Sequence, residues 1–171
     1  MRKGDSMLRK KLQEMTEVLD VSRHPAMLKE LSRTCPNTIA ILKSPHRLDR
    51  YTCAMYAFDF TEKREYVQIA AHGPFAGKDF LHRLVDNGLL EVPEKEACEG
   101  DIVIYFAEDG WFKHIGLKRG AVRVVSKWGT GHLYEHGLFE VPEGYGTTTR
   151  FFKRLTFEAG LRYFREYAGY S

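Results

Sequence analysis

Apolar residues recur at Leu8, Leu12, Met15 and Leu19, in steps of four, three and four. This is the spacing of one helix face, and it predicts an amphipathic helix over 7–19 with Asp5 or Ser6 as its cap. After the break "SRHP", residues 26–31 read as a second short helix with Pro25 at its first position. "CPNTIAIL" turns into a short extended piece, and "KSPHRLDR" reads as loop. Asp49 is placed to cap a helix over about 50–58. "GKDFLHRLVDNGLL" predicts another helix, stopped by Asn87-Gly88.

From Gly100 the period changes. "GDIVIYF" is a near-continuous β-branched and aromatic run, followed by "WFKHIGL", the tight "KRGA" turn and "VRVVSKW". Three strands joined by short glycine-containing turns predict an antiparallel meander. "GTGHLYEHGLFEVPEGYG" reads as a Gly- and His-rich loop with one short strand at "LFEV", and "TTTRFFKRL" as a last strand. Phe157, Leu161, Phe164 and Ala168 form the stripe of a C-terminal helix. Helices, then a meander, then a helix argue an α+β class: N-terminal helices packed on a small antiparallel sheet.

Composition narrows this picture. A chain of 171 residues, 43% hydrophobic and 29% charged, is long enough for one domain with one sizeable core. It contains no apolar run of membrane-spanning length, and "MRKGDSMLRKKLQEM" lacks the apolar block of a secretory signal. No membrane association and a cytoplasmic location are therefore expected. The net charge of +3 is too small and scattered to argue for a nucleic-acid partner. Cys35, Cys53 and Cys98 are odd in number and without C-x-x-C spacing, so reduced thiols are expected, with no disulfide framework.

Of the three thiols, Cys53 carries candidate chemistry. On the first turn of a helix it would meet unpaired backbone N–H groups that favour the thiolate, and a nearby imidazolium would depress its pKa further. The candidate base is His114 in "WFKHIGL", where Gly116 on the same strand face leaves room for a helix terminus to dock. An imidazole so used needs a third group to hold its other nitrogen. Ser126 on the next strand, or His132, Glu135 and His136 beyond it, qualify.

A helix-borne cysteine, then "GDIVIYF", then "KHIGL", then a strand ending in a polar residue resembles the papain-like cysteine peptidases and amidases of the NlpC type and their CHAP relatives. The "SKWG…EHGLFEVPEGYG" tail looks like one bacterial branch of that superfamily. The resemblance covers about 48–152. It implies an N-terminal helical extension at 1–47 and a catalytic domain at 48–171. It further implies Cys53 as nucleophile and His114 as base, with the third residue twelve positions on, at Ser126. The family more often has His, Asn or Gln there, so Ser126 is a departure, and His136 is the next candidate. The implied activity is hydrolysis of an amide or peptide bond through an acyl-enzyme, without cofactor, on a peptide such as a peptidoglycan fragment. An acyltransferase with the same dyad, or an inactive papain-like binding module, is the alternative.

The remaining residues have plainer readings beside the functional ones. Tyr51 is a candidate oxyanion donor by proximity. Trp111 and Trp128 suit a core or a cleft wall, and Tyr145, between two glycines, a rim contact or a turn. His132 and His136 flank Glu135, but "GTGHLYEHG" lacks the H-E-x-x-H order on a helix, so no metal site is assigned. Asp101 reads as a strand-start residue bonding a turn amide, and Cys35 and Cys98 as structural.

Overall fold

The computed structural model describes residues 6–170. Asp5, one of the two expected caps of the first helix, lies outside them. The fold is α+β, a seven-stranded antiparallel sheet with helices on both faces. The helices are α1 (Ser6–Thr16), α2 (His24–Thr34), α3 (Cys53–Ala57), α4 (Arg64–Ala70), α5 (Lys78–Asn87) and α6 (Phe157–Tyr167). The strands are β1 (Ala40–Leu42), β2 (Glu91–Val92), β3 (Ile102–Phe106), β4 (Phe112–Arg119), β5 (Arg123–Lys127), β6 (Leu133–Gly137) and β7 (Thr148–Phe152), in the order β1-β6-β5-β4-β3-β7-β2. Among the described residues, no helix is long and apolar enough to cross a membrane.

All five residues of β3 are buried because both sheet faces are covered. Ile102, Ile104 and Phe106, with Ile115 and Leu117 of β4, pack against α3–α6. Val103 and Tyr105 face the other way, onto Leu8, Leu12 and Met15 of α1 and Leu28 and Leu31 of α2. A strand buried on both faces reads as the continuous apolar run seen at "IVIYF". The meander β3–β4–β5 forms as its turns predict, and β7 returns along the free side of β3.

Several elements differ from the sequence pattern. The first helix stops at Thr16, so Leu19 is outside it and 87% exposed. The cysteine helix is a single short turn: a 3₁₀ turn at Leu48–Arg50 precedes it, and Thr52, not Asp49, is its cap. Asp49 is held instead by the Arg47 guanidinium. "REYVQIA" forms α4, which the pattern did not predict. The fourth strand of the meander is "LYEHG", not "LFEV". β6 is drawn into the ladder by pairing with β5 and β1, and Leu138–Val141 turns away, with Glu140 N–H bonded to the Gly137 carbonyl at 3.0 Å. Through β1, residues 6–47 share the sheet as well as the core.

Candidate active site

The site forms where β4 and β5 separate. Their ladder pairs Arg119 with Arg123, Lys118 with Val124 and Leu117 with Val125, and goes no further. Lys118 donates its N–H to Asp101 across the β3 side at 2.8 Å. Bond directions alternate along a strand, so the amides of Leu117 and Ile115 point to the β5 side. The Ile115 amide therefore lies beyond the last β4–β5 pair. It faces the Cys53 thiol and, with the amides of Ala54 and Cys53 at the start of α3, acts to lower its pKa. Thr52 Oγ1 accepts from Met55 N–H at 3.3 Å and fixes that turn.

Three amides favour a thiolate, yet burial outweighs them and pushes the Cys53 thiol above its ordinary value. The expected depression of its pKa is not found. The reason is that α3 is five residues long and packed against the core.

His114 follows from the same strand by alternation. It adjoins Ile115 but faces the opposite side of β4, where it pairs in register with Tyr105. The ring is 2% exposed and stacks on Tyr145, with centroids 4.0 Å apart and planes 20° apart. Burial, with His136 nearby, holds it well below the usual histidine range, so it is neutral. Its Nε2 is buried without a hydrogen-bond partner. Gly116 shares this face, and the room it leaves is taken by Val124 and Ser126 of β5, not by a helix terminus. Tyr145 links the two groups: it stacks on His114, and its phenol feels the charge of Cys53.

Tyr145 is itself held from the N-terminal helix. Arg9 of α1, 9% exposed, donates to the carbonyls of Val141, Pro142 and Glu143 at 3.2–3.3 Å, and also to that of Gly146. Gly146 has φ +101°, and a Cβ there would run into the Phe106 carbonyl. These contacts hold the 3₁₀ turn Glu143–Tyr145 under the sheet end.

The other predicted residues are placed as follows. Ser126 is fully buried, but its hydroxyl lies 2.8 Å from His136 Nε2 and 3.0 Å from Trp128 Nε1, and these are the bonds it makes. His136 Nδ1 lies 2.8 Å from the Gly137 carbonyl, so the proton sits on Nδ1 and Nε2 accepts from Ser126. Both nitrogens of His136 are thus engaged away from His114, and burial lowers its pKa to about 4. Neither residue reaches His114 as an orienting partner. Glu135 binds Arg119 and Arg123, and His132 bonds the Val21 carbonyl at 2.9 Å. Trp128 is core rather than cleft wall, stacked on Tyr134 at 4.2 Å and fully buried. Trp111 is 53% exposed, edge-on to His82. The Tyr51 hydroxyl is 2.6 Å from Ser44 Oγ. Asp101 accepts from the Cys98 amide at 2.7 Å, as a strand-start residue should.

Lys127 escaped the sequence reading. It ends β5 on the face of Val125, turned toward α3, and is 0% exposed. Its Nζ donates to the Gly129 carbonyl at 2.6 Å and lies 5.1 Å from the centre of the Tyr51 ring. Burial lowers its pKa to about 8, while Cys53 acts to raise it. A lysine two positions past Val125, in a strand whose apolar residues face inward, was the available signal.

A cavity of about 890 Å³ opens elsewhere, lined among others by Lys118, Arg123, Thr149 and Phe151, and neither Cys53, His114 nor Lys127 lines it. Among the described residues its walls carry no cysteine, serine or histidine, so the chemistry points to Cys53. No family model, no curated protein and no solved structure matches the chain.

Proposed function

We propose that this chain is a cysteine hydrolase of papain-like, NlpC type, cleaving an amide or peptide bond through an acyl-enzyme on Cys53. The single observation that carries the reading is the buried, unpartnered Nε2 of His114, one residue along the strand from the amide that faces the Cys53 thiol. An unsatisfied buried polar atom costs about 1–3 kcal/mol, a cost that a purely structural histidine would avoid by finding a partner.

In the proposed reaction Cys53 Sγ attacks the carbonyl carbon, and its proton passes by way of a water to the neutral His114 imidazole, whose Nε2 makes no bond to the thiol itself. The C–N bond breaks as His114 returns that proton to the leaving nitrogen, leaving a thioester. Water then adds to the thioester, giving its proton to His114, and the C–S bond breaks to release the acid and restore the thiol. The amides of Cys53 and Ala54 are the candidate oxyanion donors. Peptide stems of the cell-wall type are the substrate class to try first. Transfer to an amine in place of water would use the same groups.

The test is turnover of a panel of short peptides and wall-peptide fragments, with mass analysis for an acyl adduct on Cys53. Cys53→Ala and His114→Ala should each abolish turnover, and the double variant should be no worse than either. Activity that survives Cys53→Ala overturns the reading. A second reading, a binding module without turnover, is favoured by the neutral resting state of both groups. Peptide binding with no adduct and no product at any pH would establish it.

A further inference from the structure

The cavity of about 890 Å³ lies on the α1 face of the sheet, opposite the core against which Cys53 packs. Leu8 of α1, Val124 of β5 and Phe151 of β7, all buried, wall it together with Leu138 and Phe139 beyond β6. Val122 in the β4–β5 turn, 74% exposed, and the exposed Glu94 stand at its mouth. A concave, mostly apolar space of this size is what a small organic ligand fills.

Four charged residues line it, Glu94, Lys118, Arg123 and Glu140, and three have their charge met. Arg123 is committed to Glu135 and to Thr38. Glu140 accepts from the Thr38 amide at 2.8 Å and from the Gly137 amide at 2.9 Å. Glu94 is in solvent. Lys118 is the exception. Alternation along β4 turns it to the same face as His114, where it pairs in register with Val124 and is only 9% exposed. Its ammonium donates to the carbonyls of Gly120 at 2.7 Å and Ala121 at 3.1 Å. An ammonium has three N–H donors, so one is left to spend. Among the described residues no carboxylate pairs with it. Two turn carbonyls could be served by water alone, without a buried charge. A buried cation lacking an anion is costly, and this one borders an apolar space.

We propose that the cavity binds a carboxylate with an apolar body, an alkanoate in chemical class. Its head takes the spare N–H of Lys118 and neutralises that charge, while its chain lies along Leu8, Val124 and Phe151. A neutral chain would leave the ammonium unpaired, and a small hydrophilic anion would leave the apolar walls in water. The ligand therefore needs both parts. The site is independent of Cys53, and it stands whether or not the chain cleaves a bond.

The experiment is titration with decanoate below its micelle concentration, read by calorimetry and by amide NMR shifts, with decan-1-ol as the neutral counterpart. Decanoate should bind saturably, with the largest shifts around Lys118, Val124 and Phe151. Lys118→Met should weaken decanoate by about tenfold or more and leave decan-1-ol unchanged. Val122→Trp, a substitution at the exposed mouth, should weaken both, and it carries the test if Lys118→Met does not fold. Absence of saturable decanoate binding by the parent overturns the proposal. Shifts confined to other faces overturn it too, as does decanoate affinity that neither variant alters.

Discussion

Tyr145 lies flat against His114, with 4.0 Å between ring centres, and its turn is held by Arg9 from the first helix. A residue 136 positions from the site thus fixes the face on which the imidazole rests. A stacked ring both excludes water from His114 and limits its rotation.

Removing that ring should therefore affect the imidazole more than the fold. Tyr145→Phe keeps the stack and should retain most activity. Tyr145→Ala should cost about 1–2 kcal/mol of stability and lower turnover by an order of magnitude or more. A histidine NMR titration should show the His114 midpoint rising in the alanine variant as water reaches the ring. Equal activity and equal titration in both variants would remove Tyr145 from the site.

Arg9 should matter for the same reason, at longer range. Its guanidinium satisfies carbonyls that Arg9→Met would leave buried and unpaired, at a cost of roughly 3 kcal/mol. Urea unfolding should register that loss. Turnover measured well below the transition should also fall, because the Tyr145 turn is released. Arg9→Lys should recover little, since one ammonium cannot span carbonyls on both sides of the turn.

The two buried histidines set an acid limit on stability. Both have folded pKa values below the ordinary 6.5, His136 at about 4. Below pH 6.5 the unfolded chain binds protons that the folded chain does not, so stability falls as pH falls. For His136 the loss should run from pH 6.5 to about 4 and reach roughly 3 kcal/mol, with His114 adding to it. Urea midpoints at pH 7, 5.5 and 4.5 should decline in that order. His136→Gln should flatten the slope, and an unchanged slope would mean that His136 is not the buried neutral group described.

Ser126 separates an orienting role from a structural one. Ser126→Ala would leave both Trp128 Nε1 and His136 Nε2 without their partner. A stability loss of about 2–4 kcal/mol is expected, with the turnover of folded protein at low temperature nearly unchanged. The opposite pattern, full stability with activity reduced a hundredfold, would restore Ser126 as the partner of His114.

Local pattern alone determined much of this molecule. The β-branched runs and tight turns around 102–127 specify a meander whatever packs on it, because a strand's period and a turn's backbone angles are properties of neighbouring residues. The same locality put Cys53 at a helix start and His114 in the strand after "GDIVIYF". Only the tertiary structure decided what surrounds them. "LYEHG" became a strand because β5 and β1 offered partners on both sides, which no periodicity within five residues could reveal. Cys53 was pushed up, not down, because the core behind α3 removes water that the sequence cannot count. Ser126 turned to His136 and Trp128, Arg9 reached the turn of Tyr145, and Lys127 came to lie over the Tyr51 ring. Each of these joins residues that are distant along the chain or whose facing depends on strand register. Burial and charge are set by everything within a few ångströms, and that neighbourhood exists only once the chain has folded.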